Sequence, residues 1–274
     1  MHAFDPDLLT PAAEIESRII ALQKRLQQAS IDAALLLQNS DRFYFSGTIQ
    51  QAHLWVPAEG PASLMVRKDF ARARAESALE RVISVGRAAE VPLALKTQGY
   101  APAARLGMEL DVLPVQLWKM YRRLFAEADI VDVSLDVRQV RAVKSPWEID
   151  RIRAAAERAD RVTAYVPEVL EAGVSEIELA GRIEAFARKL GHQGIARMRL
   201  WGSEMFYGHL MSGVAAAVPS FLASPTGGMG TGPAVAQGAG LKRLQPNEPI
   251  LFDYVFAYRG YLADQARIFS LGDP

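Results

Sequence analysis

The stretch Leu251-Phe-Asp253-Tyr-Val-Phe-Ala-Tyr258-Arg-Gly260-Tyr-Leu-Ala-Asp264-Gln-Ala-Arg267-Ile-Phe269 decides how the rest of the chain is read. Two apolar, aromatic-rich runs flank Arg259-Gly260, the pattern of a hairpin closed by a two-residue turn. Such a turn sets Val255 opposite Asp264, with Asp253 diagonally across on the same face of the ribbon. Diagonal neighbours lie roughly 7–8 Å apart, so the two carboxylates can lean towards one point. Val255, Leu262, Ala266 and Ile268 share that face. Tyr254, Phe256, Gln265, Arg267 and Phe269 make the other, and both faces are expected to be largely buried.

Aspartate is disfavoured in strands, and two ionised carboxylates in an apolar sheet need a positive neighbour. A divalent cation meets that need, since hard cations take carboxylate oxygens. So do Arg259 and Arg267, both close in sequence, and spacing alone leaves the two readings open.

Composition narrows the classes. The 274 residues are long enough for two domains, and 50% apolar with 23% charged residues is ordinary globular usage. Formal net charge is zero and no dense basic stretch occurs, which argues against a nucleic-acid surface. The absence of cysteine excludes a disulfide framework, a thiolate nucleophile and a thiolate zinc site, and fits a reducing compartment. Met1-His-Ala-Phe-Asp-Pro-Asp has neither the basic nor the apolar segment of a secretory signal. No uncharged apolar run reaches ~20 residues, so no membrane span is expected.

In the first half, Thr10-Pro11 reads as a hydroxyl cap followed by proline at the first helical position, with Ile15, Ile19, Leu22 and Leu26 on one stripe. Short apolar runs at Ala33–Leu37, Leu54–Pro57, Ala62–Val66, Val82–Gly86 and Asp129–Val133 are interspersed with helix-like Lys68–Glu80 and Pro114–Ala126. That alternation predicts an α/β domain with a substantially parallel sheet. A lone His53 beside a strand is more often structural than functional.

Val140–Lys144 is the expected junction, giving domains 1–142 and 143–274. Ser145-Pro146-Trp-Glu148 is a capping box with proline at the first position, opening a helix striped with Ile149, Ile152, Ala156, Ala159 and Val166. Ser175-Glu-Ile-Glu178 opens a second helix carrying Leu179, Ile183, Phe186 and Leu190, closed by Gly191. Met198–Gly213, with His209 inside it, looks strand-like with a bend. Gly227-Gly-Met-Gly-Thr-Gly232 lacks the lysine of a phosphate loop and reads as a flexible loop near a site.

Asp253 and Asp264, with ten residues between them and followed by Arg267-Ile-Phe269, resemble the first two metal ligands of the M24 metallopeptidases, the family with the "pita-bread" fold. Arg141-Ala-Val-Lys144-Ser145-Pro146-Trp-Glu148-Ile149 resembles the segment that opens the catalytic domain in its Xaa-Pro and creatinase branch. Asn39-Ser-Asp-Arg-Phe-Tyr-Phe-Ser-Gly47 resembles the loop after the first strand of creatinase-type N-terminal domains. The resemblance implies a creatinase-type α/β domain followed by the first part of a pita-bread α+β catalytic domain.

The function so implied is metal-dependent hydrolysis of Xaa-Pro peptide bonds, with two divalent ions (Mn, Co or Zn) that activate a water. By resemblance, Asp253 and Asp264 are metal ligands, with Asp264 the bridging one. Relatives place a substrate-contacting histidine after a Ser-Gly motif. Here Ser212-Gly213 leads to Pro219-Ser220, so Ser220 stands in that position and His209 is the alternative donor to a developing oxyanion. The later histidine and two glutamates of the family site have no counterpart, so the chain is expected to be C-terminally truncated and inactive. The implied partners are a peptide with proline second and, as a homodimer, a second copy, in the cytoplasm. Creatinase-like C–N hydrolysis and a catalytically silent binding or assembly role on the same scaffold are the alternatives. A serine hydrolase is disfavoured, since no G-x-S-x-G elbow is present.

Overall fold

A computed structural model of the chain describes residues 6–202, 204–222, 224 and 227–273. It divides into two compact units, Met1–Lys144 with Met198–Ser203, and Ser145–Arg197 with Glu204–Pro274.

The first unit runs α1 (Ala12–Gln28), β1 (Ala33–Leu36), α2 (Asn39–Ser46), β2 (Ala52–Pro57), β3 (Ser63–Val66), α3 (Phe70–Glu76), β4 (Arg81–Ser84), α4 (Val91–Thr97), β5 (Arg105–Met108), α5 (Val115–Leu124), β6 (Asp129–Asp132) and α6 (Ser134–Ala142). Among the described residues these strands form one sheet in the order β4-β3-β2-β1-β5-β6. The sheet is mixed. β1 with β5, β5 with β6 and β3 with β4 are parallel, whereas β1–β2 and β2–β3 are antiparallel. The β2–β3 link is too short for a crossover, which forces that pair antiparallel.

Both faces of the sheet are covered, as period-two alternation requires. Ala34, Leu36, Leu54, Val56, Leu64 and Val66 pack with Ile15, Ile19, Leu22 and Leu26 of α1 and Val137 of α6. Ala33, Leu35, Trp55 and Met65 pack with Val91 and Leu95 of α4 and Tyr121 of α5.

Two local expectations shift. α1 begins one residue later than the Thr10 cap implies: Pro11 holds the cap position, and its carbonyl accepts from Glu14 and Ile15. The stretch 39–47 is a helix and not a loop. The Gln38 side chain caps it by accepting from Ser40 and Asp41 amides, and Gly47 (φ 77°) ends it in the left-handed region.

The second unit contains α7 (Pro146–Val169), α8 (Glu176–Lys189), β7 (Ala196–Arg197), β8 (Glu204–Met205), β9 (Gly208–Ser212), β10 (Pro249–Tyr258) and β11 (Tyr261–Ser270). The Ser145/Glu148 capping box is present in both directions. Ser175 caps α8 through the Glu178 amide. The buried stripe of α7 is Ala155, Ala159, Val162 and Val166, and Ile149 lies exposed. Ala159, Val162 and Val166 of that stripe and Leu179, Ala180, Ile183 and Ala187 of α8 pack against Phe252, Tyr254 and Phe256 of β10. Strand order is β11-β10-β9, with β7–β8 a separate pair. No helix among the described residues is long and apolar enough to cross a membrane.

Candidate functional site

The β10–β11 hairpin has the register its turn chemistry dictates. Tyr258 pairs with Tyr261, and Arg259 (φ 50°) and Gly260 (φ 84°) both take positive φ, as a tight turn matched to strand twist requires. Val255 therefore faces Asp264, and Asp253 faces Ala266. On the other side of β10, His209 of β9 stands directly opposite Asp253. Three polar side chains, His209, Asp253 and Asp264, thus share one face of the three-stranded sheet.

Their environments differ. Asp253 is half-buried, and its carboxyl lies above the usual range, chiefly through burial and then through the negative charge of Asp264, with His209 opposing. Asp264 is exposed. The two arginines close in sequence make contacts elsewhere. Arg267 donates to the Ala266 carbonyl and the Gln265 side chain, and Arg259 lies 5.2 Å from the centroid of the Tyr258 ring.

The aspartate face is open, contrary to the expectation that both faces are buried. Leu262, Ala266 and Ile268 (71% exposed) are uncovered. The packing explains the difference. α7 covers the opposite face, where Gln265 Nε2 donates to Thr163 Oγ1 at 2.7 Å. On the aspartate face, among the described residues, a small cluster of Ala196 and Met205 reaches Val255 and Ala257.

Backbone contacts fix the strand that carries His209. An added Cβ at Gly208 (φ 134°) would lie 2.1 Å from the Asp253 carbonyl oxygen, so only glycine allows this approach. At the other end of β9, the fully buried Ser212 hydroxyl donates to Glu176 Oε1 (2.7 Å) and accepts from Lys242 Nζ (2.9 Å). Glu176 also accepts from the Ser212 and Gly240 amides, and Lys242 pairs with Glu248. Sequence reasoning missed this network, which is why Ser212 precedes Gly213: Gly213 has positive φ, and a Cβ there would meet Glu248 Oε2 at 2.2 Å.

Among the described residues no bond ties Ser220 to the aspartates. It follows the 3-10 turn Gly213–Ala217, and its hydroxyl donates to the Ala236 carbonyl. The glycine-rich stretch is hydrogen-bonded to its surroundings, with the Gly227 and Gly228 amides donating to Val218 and the Gly238 amide to Gly227. It passes His209, since a Cβ on Gly238 would lie 3.5 Å from His209 Cδ2.

Two other histidines are structural. His53 is buried with Nε2 2.7 Å from the Tyr121 hydroxyl, and burial lowers its pKa to about 4. His192, which carried no sequence signal, accepts from the Gly194 amide at Nδ1 and donates from Nε2 to the Val255 carbonyl. Those two bonds require the neutral Nε2–H tautomer.

A divalent ion suits the donor chemistry of Asp253 and Asp264 but not their number. Among the described residues no three His, Asp or Glu side chains converge as a cation site needs. The pair is a two-donor arrangement, and no chemical step follows from it alone.

The creatinase/prolidase N-terminal domain model matches residues 18–143, and the metallopeptidase family M24 model matches 150–274. Residues 150–274 thus belong to the M24 family, and residues 18–143 are a creatinase-type N-terminal domain. An uncharacterized peptidase of Staphylococcus haemolyticus is 26% identical over 263 residues, covering 94% of this chain and 67% of the relative. A Bacillus subtilis peptidase is 23% identical over 92% of this chain and 65% of its own. Among solved structures, an Xaa-Pro dipeptidase from Bacillus anthracis aligns with TM-score 0.78 at 22% identity, over 95% of this chain and 66% of that one. The prolidase from Pyrococcus horikoshii aligns with TM-score 0.76 at 23% identity, over 94% and 66%. The fold is thus that of the pita-bread peptidases, and the chain spans about two thirds of the length of these relatives.

Proposed function

We propose that the chain belongs to a metal-dependent peptidase acting on peptides with proline in the second position. Asp253 and Asp264 supply two metal donors, and His209 is the polar group beside them. The register Val255↔Asp264 and Asp253↔His209 carries this reading, because it gathers three polar side chains on an otherwise apolar face. Membership of a metallopeptidase family supports the metal, and the likeness to the Bacillus anthracis Xaa-Pro dipeptidase and the Pyrococcus horikoshii prolidase supports the substrate class.

With two donors the chain does not hold a catalytic ion tightly, and it is inactive or nearly so by itself. Incubation with Mn2+ and Xaa-Pro dipeptides is expected to give no turnover. Turnover abolished both by chelator and by Asp264→Asn contradicts the inactivity.

The Ser220 hydroxyl, tied to Ala236 at the position where the family resemblance implies a histidine, favours a second reading: a binding or assembly role on the same scaffold. Peptide binding that is indifferent to Asp253→Asn/Asp264→Asn and to chelator selects it.

A further inference from the structure

The chain between β7 and β8 passes through residues 198–202, a segment that packs in the first unit. Its hold there is made of side-chain bonds. The Met198 carbonyl accepts from Gln38 Nε2 and Ser40 Oγ, both at 3.3 Å, and the Leu200 carbonyl accepts from Gln38 Nε2 at 3.4 Å. These are long, weak bonds. The strong ones belong to Arg199, whose Nε reaches Asp41 and whose Nη1 reaches Asp111, each at 2.7 Å.

None of the apolar side chains of the same segment is sealed in a core. Met198, Leu200 and Trp201 are 40%, 55% and 41% exposed. A stretch sealed in a core detaches only at large cost, whereas the shortest bonds holding this one are those of a single guanidinium.

Removing one partner from a buried ion pair normally strands a charge, at a cost of about 3–5 kcal/mol. Here neither acceptor would be stranded. Asp41, fully buried, is also paired with Arg141, and Asp111 has Arg138 at 3.8 Å. Arg199, for its part, keeps Nη2 buried without a hydrogen-bond partner, and that group would gain water on leaving.

We propose that residues 198–202 form a detachable strap, latched to the first unit by Arg199 between Asp41 and Asp111, with Arg141 and Arg138 placed to hold those carboxylates when the strap is off. The docked and released forms are two states of one short segment, biased by charge.

Limited digestion with a chymotrypsin-like protease, mapped by mass spectrometry, tests this on the whole chain. Arg199→Gln removes the latch and leaves both carboxylates paired, so the fold is expected to survive. Cutting after Leu200 and Trp201 is expected to speed up about tenfold or more, the size of one lost charge-assisted bond. Asp111→Asn, and wild-type chain in about 0.5 M NaCl, should move the same way by less. Unchanged cutting at 200–201 in Arg199→Gln overturns the strap. So does cutting that accelerates equally across the first unit, since that would make Arg199 a general structural residue.

Discussion

Asp253 and Asp264 sit diagonally across the β10–β11 hairpin, and the charge of Asp264 adds to burial in holding the Asp253 carboxyl above its usual range. Two like charges kept together on a strand pair act against folding unless something positive joins them. Asp264→Asn is therefore expected to leave unfolding free energy unchanged or raise it by less than about 1 kcal/mol in metal-free buffer. Urea titration of both chains checks this, and a loss above that size would mean Asp264 has a structural partner.

Gly208 tests how tightly the site strand is fitted. With φ at 134° and the Asp253 carbonyl 2.1 Å from any Cβ, Gly208→Ala must displace backbone in β9 or β10. A loss of about 2–4 kcal/mol is expected from strain and overpacking together. Denaturant midpoints measure it directly.

Ser212→Ala removes the hydroxyl that links Glu176 to Lys242. Leaving two charged groups each one partner short should cost about 1–3 kcal/mol. Ser220→Ala, by contrast, breaks a bond in a partly exposed loop and should cost under about 1 kcal/mol. A reversed order of the two thermal midpoints would refute this assignment of roles.

Two buried groups set opposite pH slopes in the first unit. Burial and the charge of Asp41 push Glu109 up to about 8, against amide bonds from Leu37 and Gln38 and the charge of Arg199. An unfolded glutamate titrates near 4.3, so stability falls as pH rises from there to about 8. His53, lowered to about 4, makes stability rise between about 4 and 6.5 and partly cancels that fall. Between pH 6.5 and 8 Glu109 acts alone, and a loss on the order of 2 kcal/mol is expected. Glu109→Gln should flatten that window, and an unchanged slope would show that Glu109 is ionised throughout.

Much of this was legible in the sequence, for local reasons. Arg259-Gly260 sets the hairpin register by turn chemistry alone, and Ser145-Pro-Trp-Glu148 sets a helix start within four residues. The position of His209 opposite Asp253 was not legible, because the β9–β10 pairing joins segments distant in sequence, with a long irregular stretch between them. The Glu176–Ser212–Lys242 network and the Arg199 latch were missed for the same reason: each spans distant segments and has no periodic signal. The exposure of Leu262 and Ile268 was misread because a strand alternating around small and apolar residues looks alike whether or not its face is covered.

Calorimetric titration of the purified chain with Mn2+, beside Asp253→Asn/Asp264→Asn, tests the central claim that the two aspartates are metal donors forming half a centre. The account predicts weak binding of divalent ion that the double variant loses. Tight stoichiometric binding would show that further donors complete the centre, and binding that survives in the double variant would show that the aspartates are not its ligands.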